Sequence, residues 1–372
     1  MKIAISINSS WNFINFRLGL IKTLLNEGYE IIAIAPFDSA SEKLQALGCT
    51  FIPIDMSPRG KNPLKELLII YNYWKILNTI KPNYLLTFTV KPNIYGSIAA
   101  RILRIPTINN IAGLGEPFAR SGVLMVLVTQ LYKIALGGAT KIFFQNSEDR
   151  DIFIARKIVP IALIDRLPGS GINTIEFTPA EEGQNYCKQD KKIFLFASRL
   201  LWDKGIYEFI KAAIAVKKDY PYIEFHVVGP IPDSPNQGPN IEKLQEWDRC
   251  GAISYLGTSD DIKLHLKSAT CLVLPSYYRE GVPRILLEAA AMELPIITCN
   301  SIGCRDAVDD GITGFLCNTR DEEDLARKIK NIIHLSCNDI KEMGRKARMK
   351  MQNEFDEKIV IKKYLDVIQR RA

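Results

Sequence analysis

Histidine and paired cysteine are scarce in this chain of 372 residues. It has three histidines, at positions 226, 265 and 334, and none of its eight cysteines forms a C-x-x-C pair. Zinc sites and redox dithiols draw on these residues, so the sequence predicts neither a multi-histidine metal centre nor a redox motif. Cys271 and Cys299 lie in apolar runs, which indicates buried thiols and a reducing compartment such as the cytosol.

Long apolar runs and targeting patterns are lacking too. The N-terminal MKIAISINSS passes directly into an apolar strand, so we expect no signal peptide. No window reaches ~20 uninterrupted apolar residues, so no helix is expected to span a bilayer. The longest candidate, 122–139, is interrupted by Thr129, Gln130 and Lys133. It is either a buried amphipathic helix or a helix that faces a membrane.

Short apolar strands alternate with amphipathic helices along the chain. This alternation predicts an α/β protein with parallel sheets covered on both faces. A Gly-, Pro- and Ser-rich stretch at 166–179 marks a boundary near residue 168. We therefore predict two doubly wound domains, 1–167 and 168–355, with a cleft between them and ligands at the carboxyl ends of the strands. The basic helix 356–372 is expected to pack back on the N-terminal domain.

A missing motif and an uneven distribution of charge limit the classes of function that fit this chain. The residues after the first strand read SINSSWNF, which lacks the G-x-G-x-x-G fingerprint of NAD-dependent enzymes. Positive charge is concentrated in one half, because residues 1–168 hold 19 basic and 11 acidic side chains, against 29 and 30 in the remainder. The N-terminal half is therefore expected to meet an anionic partner, such as a phosphate-bearing acceptor, a membrane surface or nucleic acid.

The stretch FLFASRLLWDKGIYEFI reads as strand, loop and helix. Its loop carries Arg199 and Lys204 at the carboxyl end of the strand, beside a helix N-terminus. Two cations in that position make an anion site, in which arginine can fork onto two phosphate oxygens and lysine supplies a point charge. Alternatively, they are surface cations paired with Asp203 or Glu208.

The stretch SYYREGVPRILLEAAAMELPIIT (276–298) supplies a second candidate element. Pro283 fits the first position of a helix over 283–293, which would leave the amides of residues 284–286 to receive a phosphate. Glu288 lies further along this helix, within reach of ribose hydroxyls. Glu280 precedes the turn and could meet the hydroxyls of a sugar.

The segments SRLLWDKG, REGVPRILLEAAAMELPIIT and GCRDAVDDGITGFL, in this order, resemble the retaining, nucleotide-sugar-dependent glycosyltransferases of family 4. Their fold is GT-B, with two Rossmann-like domains that face a cleft, and the resemblance covers nearly the whole chain. It implies that Arg199 and Lys204 hold the donor diphosphate, while Glu280 contacts the transferred sugar. The donor-binding residues predicted on this basis are Gly281, Val282, Pro283, Ile285, Leu286 and Glu288.

A retaining transferase of this kind needs no protein nucleophile, so preorganised cations and amides must stabilise the departing diphosphate. We assign this task to Arg199, Lys204 and the 284–286 amides, in place of a metal. The sequence Asp149–Asp151 matches a D-x-D metal pattern. However, it follows FFQNS, where Ser147 is expected to cap a helix whose first turn favours acids. No metal or other cofactor is therefore expected.

The N-terminal segments TFTVKPNIYGSIAARI, AGLG, FFQNSEDRDIF and LPGSGIN resemble the subgroup that extends undecaprenyl-diphosphate-linked sugars, such as N-acetylgalactosaminyl transferases. The resemblance implies a UDP-sugar donor that carries an N-acetylhexosamine or hexose, and a lipid-linked glycan acceptor. The excess of positive charge in residues 1–168 and the 122–139 segment further predict a cytoplasmic protein associated peripherally with the inner membrane surface, and no nucleic-acid partner is expected.

The acceptor side departs from the family pattern. No histidine lies in the first 168 residues, so Asn109, Asn110 or backbone near Gly113 must replace the usual N-domain histidine, or the acceptor is oriented differently. Glu116 stands where the subgroup carries an aromatic residue after GLG.

The predicted acceptor-diphosphate residues are Arg17, Lys91 and the Asn8–Ser10 loop, with Ser10 as the hydroxyl ligand. Alternatively, they form a salt-bridged or solvated face. A nucleotide-sugar epimerase and a non-catalytic nucleotide-sugar-binding scaffold remain as alternative functions, and product analysis separates them from a transferase.

Overall fold

A computed structural model describes residues 1–56, 63–114, 118, 122–179 and 192–370 of the chain. The chain divides into two compact units. The first unit is Met1–Gly171 together with Glu357–Ala372, and the second unit is Ile172–Asp356.

The first unit is built on a parallel sheet. Within the described residues it has seven strands in the order β3-β2-β1-β4-β5-β6-β7. The strands are β1 Lys2–Ser6, β2 Glu30–Ala35, β3 Thr50–Pro53, β4 Tyr84–Phe88, β5 Thr107–Ile111, β6 Ala139–Phe144 and β7 Ile164–Arg166. The central strands β4 and β5 are buried along their whole length, as expected of a parallel sheet covered on both faces.

Helices of the first unit connect these strands. They are α1 Ser10–Asn26, α2 Ser41–Ala46, α3 Pro63–Ile80, α4 Ser97–Ile102, α5 Val123–Leu136 and α6 Ser147–Ala155, with a π-helical turn at Pro92–Gly96. Ser9 caps α1 by accepting a hydrogen bond from the Asn12 N–H. Asn146, not Ser147, caps α6, because its side chain accepts from the Asp149 N–H at 2.8 Å. The predicted capping residue was therefore wrong by one position.

The second unit has a parallel sheet of its own. Its order, within the described residues, is β10-β9-β8-β11-β12-β13. The strands are β8 Ile193–Ala197, β9 Glu224–Val228, β10 Ser254–Tyr255, β11 Cys271–Leu274, β12 Ile296–Cys299 and β13 Gly314–Cys317. The helices are α7 Ile206–Asp219, α8 Ile241–Arg249, α9 Ile262–Ser268, α10 Arg284–Ala291, α11 Glu322–His334 and α12 Cys337–Lys350.

The last helix, α13 (Glu357–Gln369), belongs to the first unit. Val360, Ile361, Tyr364 and Ile368 on this helix are buried in the core that covers β1, β2 and β4. The Tyr364 hydroxyl also accepts a hydrogen bond from the Asn110 amide at 2.9 Å. The C-terminal residues therefore complete the core of the unit that begins the chain.

Two doubly wound parallel α/β sheets are therefore confirmed. The buried thiols of Cys271 and Cys299 are confirmed as well. No helix among the described residues has the length and apolarity needed to cross a bilayer. Helix α5, within the 122–139 segment, buries Tyr132 and Leu136 and exposes apolar side chains on its other side.

Candidate functional site

Arg199 and Lys204 lie at the carboxyl end of β8, in very different environments. Arg199 is exposed, whereas the Lys204 side chain is only 7% exposed. The chain turns at Gly205, whose φ is +81°, and an added Cβ there would lie 2.2 Å from the Pro275 carbonyl oxygen. The loop therefore packs directly against the end of β11, and only glycine fits this contact.

Lys204 and Glu280 form an ion pair. The ammonium lies 5.3 Å from the centre of the Tyr278 ring, which adds a cation–π contact. The sequence left open a pairing of Lys204 with Asp203 or Glu208, but its ion-pair partner in the structure is Glu280. The Asp203 carbonyl instead accepts from the N–H groups of Tyr277 and Tyr278, at 3.0 and 2.9 Å. Hydrogen bonds therefore join the loop after β8 to the loop after β11.

Glu208 lies beneath these loops, in the first turn of α7. It is 7% exposed, and its Oε2 has no hydrogen-bond partner within the described residues. Burial raises the pKa of Glu208, and the neighbouring acids Glu322 and Asp203 raise it further. A buried carboxyl group without a partner for one of its oxygens costs folding free energy.

The loop after β12 holds the Glu280–Gly281 backbone in place. Ser301 donates from its hydroxyl to the Ser276 carbonyl at 2.7 Å. Gly303, with φ of +82°, lies so close that an added Cβ would be 2.2 Å from the Gly281 carbonyl oxygen. Sequence reasoning gave Gly303 no role, although it begins the GCRDAV segment that carried the resemblance.

Helix α10 begins immediately after Pro283, which provides no side-chain cap. Of the three amides predicted to face a phosphate, that of Leu286 already donates to the Pro283 carbonyl at 3.1 Å and is not available to a ligand. The side chains of Val282 and Leu286 are buried in the core, and Ile285 packs against it. Any donor contact from Gly281, Val282 or Ile285 therefore falls to the main chain.

Glu288 lies on the first turns of α10, with its side chain 13% exposed. Its Oε1 accepts from the Arg284 Nε at 2.8 Å. Burial raises the pKa of Glu288 above its ordinary value, and the positive charge of Arg284 opposes this shift. A partly buried carboxylate with one cationic partner retains acceptor capacity for a second donor.

The predicted acceptor residues have partners within the first unit. The buried Ser10 hydroxyl donates to the Pro36 carbonyl at 3.1 Å and shares a hydrogen bond with the Ser41 hydroxyl at 2.9 Å. Arg17 is 5% exposed, and its guanidinium lies 4.3 Å from the centre of the Phe88 ring. Lys91 forms a 2.6 Å ion pair with Glu66. This geometry matches the salt-bridged alternative for Lys91, and acceptor binding by these three residues stays a prediction.

Asn109 and Asn110 are fully buried. The Asn109 amide donates to the hydroxyls of Thr87 and Ser97, at 2.6 and 2.7 Å. The Asn110 amide donates to the Tyr364 hydroxyl. The side chains of Asn109 and Asn110 are therefore both engaged in hydrogen bonds inside the first unit. Gly113 is half-buried, so its backbone stays a candidate for the place of the family histidine. Glu116 lies outside the described residues.

The Asp149–Asp151 sequence has local partners. The buried Asp149 carboxylate accepts from the Leu114 N–H at 3.2 Å and from the Asn146 amide at 3.1 Å. Asp151 forms a 2.8 Å ion pair with Arg150. Within the part of the chain that the structure describes, no three His, Cys, Asp or Glu side chains come together as metal ligands.

The sequence patterns of two families match this chain. "Glycosyl transferases group 1" matches residues 178–350, and "Glycosyl transferase 4-like" matches residues 2–146. The chain is a family 4 glycosyltransferase. This confirms the resemblance read from the three C-terminal segments, and the enzyme class inferred from it.

Individual relatives extend this finding. A Campylobacter jejuni protein, N,N'-diacetylbacillosaminyl-diphospho-undecaprenol alpha-1,3-N-acetylgalactosaminyltransferase, is 28% identical over 388 residues, with 100% of this chain and 99% of the relative covered. An Escherichia coli UDP-Gal:alpha-D-GlcNAc-diphosphoundecaprenol alpha-1,3-galactosyltransferase is 24% identical, with 80% and 78% covered.

A solved structure with a similar fold is Anabaena HepE in complex with UDP and glucose, at a TM-score of 0.81 and 17% identity, with 100% of both chains covered. A Rickettsia africae glycosyltransferase has a TM-score of 0.81 at 19% identity, with 99% of this chain and 98% of that chain covered. The GT-B fold of this glycosyltransferase is therefore confirmed.

Proposed function

We propose that this glycosyltransferase moves an N-acetylhexosamine or hexose from a UDP-sugar to a saccharide carried on undecaprenyl diphosphate, with retention of anomeric configuration. The product would serve the assembly of a cell-surface glycan or a glycoprotein oligosaccharide. The C. jejuni and E. coli relatives support this proposal, because their names specify transfer to sugars on diphosphoundecaprenol. The E. coli name specifies a UDP-sugar, and HepE was solved with UDP.

The observation that carries the proposal is the Lys204–Glu280 ion pair at the carboxyl ends of β8 and β11. Lys204 would bind the donor diphosphate and stabilise its departing charge in a site where water is largely excluded. Glu280, oriented by this lysine, would accept hydrogen bonds from the transferred sugar. Arg199, exposed beside them, would close on the diphosphate as a forked donor. These two cations would stabilise the charge of the departing diphosphate in place of a metal ion.

A screen of donors tests the function. Purified protein is incubated with UDP-, GDP- and dTDP-sugars, with undecaprenyl-diphosphate-linked sugar and EDTA present, and the products are identified by mass spectrometry. Transfer from a UDP-sugar with retained configuration is expected. An epimerised donor would replace the proposal with the isomerase alternative, whereas a complete lack of turnover would favour a binding scaffold.

Nucleotide binding should depend on pH through Glu288. If its carboxylate accepts hydrogen bonds from the ribose hydroxyls, binding favours the charged form, which the raised pKa disfavours. UDP affinity of the wild type, relative to Glu288→Gln, should therefore be greatest at high pH and should fall as the pH drops through the raised pKa. Calorimetry from pH 4 to 8 measures this ratio, in which the titration of UDP itself cancels. A ratio that stays constant with pH would exclude the ribose role.

We also propose that the enzyme works at the cytoplasmic face of the inner membrane, docked through an apolar surface on α3 and α5. Both helices pack against α4 and the π-helical turn, on one side of the sheet. The exposed side chains of this α3–α5 surface are Leu64, Leu67, Leu68, Tyr71, Val126, Leu127 and Ile134. Lys65, Lys75 and Lys133 lie on the same helices, and the single acid, Glu66, is paired with Lys91. Apolar and basic side chains together suit an anionic bilayer.

Vesicle binding tests this surface. The double variant Leu67→Ser, Leu68→Ser should bind vesicles of phosphatidylethanolamine and phosphatidylglycerol at least tenfold more weakly in sedimentation, because two leucines lose their apolar contact. Its melting temperature should not change, since both side chains are exposed. Leu264→Ser, which alters a 65% exposed leucine of the second unit, is the matched control. Equal vesicle binding by all three proteins would reject the docking surface.

A further inference from the structure

Two aromatic side chains are exposed where strands β1 and β2 end. Trp11, in the first turn of α1, is 54% exposed, and Phe37, which follows β2, is 69% exposed. Because β1 and β2 are paired in parallel, both residues lie at the carboxyl edge of the sheet, where ligands of doubly wound sheets bind. The sequence reasoning assigned neither residue a role.

Hydrogen bonds join the two turns that carry these rings to each other. The Asp38 carboxylate accepts from the N–H groups of Ser10 and Trp11, at 2.7 and 3.1 Å. The Ser10 hydroxyl donates to the Pro36 carbonyl, one residue before Phe37. Trp11 also rests edge-on against Phe16, with 5.7 Å between ring centres. Both rings are therefore held in fixed turns, so a ligand that stacks on them loses little conformational entropy in the protein.

The surrounding groups indicate which part of an acceptor fits here. The Asp38 carboxylate already accepts from the first N–H groups of α1. Its negative charge lies close to both aromatic residues and would repel a diphosphate. The amides of Asn8 and Asn12, joined by a 2.7 Å hydrogen bond, lie in the same turn. Aromatic rings beside amide groups suit a neutral ring with an apolar face and a polar rim, which is the chemistry of an N-acetylated sugar.

We propose that Trp11 and Phe37 form an aromatic platform on which the sugar ring of the acceptor stacks. This proposal rests on the proposed function, because it requires a saccharide acceptor. It gives Ser10 a positioning role in place of direct contact, since the buried Ser10 hydroxyl joins the two turns. The platform determines which acceptor sugars bind, while the donor-binding residues lie in the second unit.

Kinetics with two synthetic acceptors test the platform. Both carry the same N-acetylhexosaminyl diphosphate, one on a farnesyl chain and one on a phenyl group. For Trp11→Ala and for Phe37→Ala, the acceptor KM should rise roughly tenfold with either acceptor, and the donor KM should not change. Trp11→Phe should restore most of the loss. Tyr222→Ala, which alters a 51% exposed aromatic of the second unit, should leave both KM values unchanged.

Two outcomes of the kinetic assay would overturn the platform. Unchanged acceptor KM values in both variants would show that the rings do not contact the acceptor. A rise confined to the farnesyl acceptor would show that the rings contact the lipid chain. If the wild type transfers to neither synthetic acceptor, the proposed function is decided by the donor screen with undecaprenyl-diphosphate-linked sugar, and binding decides the platform separately. Quenching of fluorescence by the phenyl acceptor in the wild type, but not in Trp11→Phe, would then uphold it, whereas equal signals would reject it.

Discussion

Replacement of Lys204 by methionine should lower kcat by about 10²- to 10³-fold, the loss typical of removing one preorganised donor to a developing negative charge. The Lys204 side chain is 7% exposed, so water cannot take the place of its ammonium at the departing diphosphate. UDP should also bind more weakly, because a charge-assisted hydrogen bond to the phosphate is lost. Steady-state kinetics and calorimetry with UDP measure both effects.

Stability should be affected less than catalysis. Breaking a fully buried ion pair costs about 3–5 kcal/mol, but Glu280 is 26% exposed and can recover part of its hydration, so the loss of unfolding free energy should be smaller. Glu280→Gln should lower kcat without weakening UDP binding, because Lys204 is then no longer shared with a carboxylate. Lys243→Ala breaks an exposed ion pair with Glu246 and should change none of these values. Unchanged turnover in Lys204→Met would remove the diphosphate role.

The fold could be predicted because the buried strands are short, apolar and regularly spaced between helices, and both sheets follow from that pattern. The elements that sequence reasoning missed carry weaker signals. Strand β13 has four residues, two of them only half-buried. Helix α12 is strongly polar, and its buried residues, Ile340, Met343, Gly344 and Ala347, give only a short helical period within a charged stretch.

The site was predicted residue by residue, without its internal contacts. Lys204 and Glu280 are separated by 76 positions in the chain, and each was assigned to a ligand. Their contact depends on how the loops after β8 and β11 pack, which is set by the glycine at 205 and by the Asp203 carbonyl. On the acceptor side, Ser10 was expected to meet a ligand. Its burial depends on Asp38 and Ser41, which come from a different turn, so no pattern around position 10 could reveal it.

Gly303→Ala should lower activity about 10²-fold, although residue 303 itself provides no side chain to a substrate. The added methyl group would lie 2.2 Å from the Gly281 carbonyl oxygen and 2.8 Å from that of Glu280. Both distances are far inside van der Waals contact, so the Glu280–Gly281 backbone must move by about 1 Å, a displacement that costs roughly 10²-fold in rate when it misplaces a reacting group. The φ of +82° adds a strain of about 1–2 kcal/mol for any L-residue.

A matched glycine separates these two effects. Gly311 has a φ of +75°, and nothing lies within 4 Å of an added Cβ, so Gly311→Ala carries the backbone strain without the collision. Both variants should lose a similar part of their thermal stability from strain, with a further loss in Gly303→Ala from the overlap. Only Gly303→Ala should lose transferase activity at a temperature where both proteins remain folded by circular dichroism. Equal activity in the two variants would mean that the Glu280 loop tolerates displacement, and that Glu280 does not contact the transferred sugar in the geometry proposed.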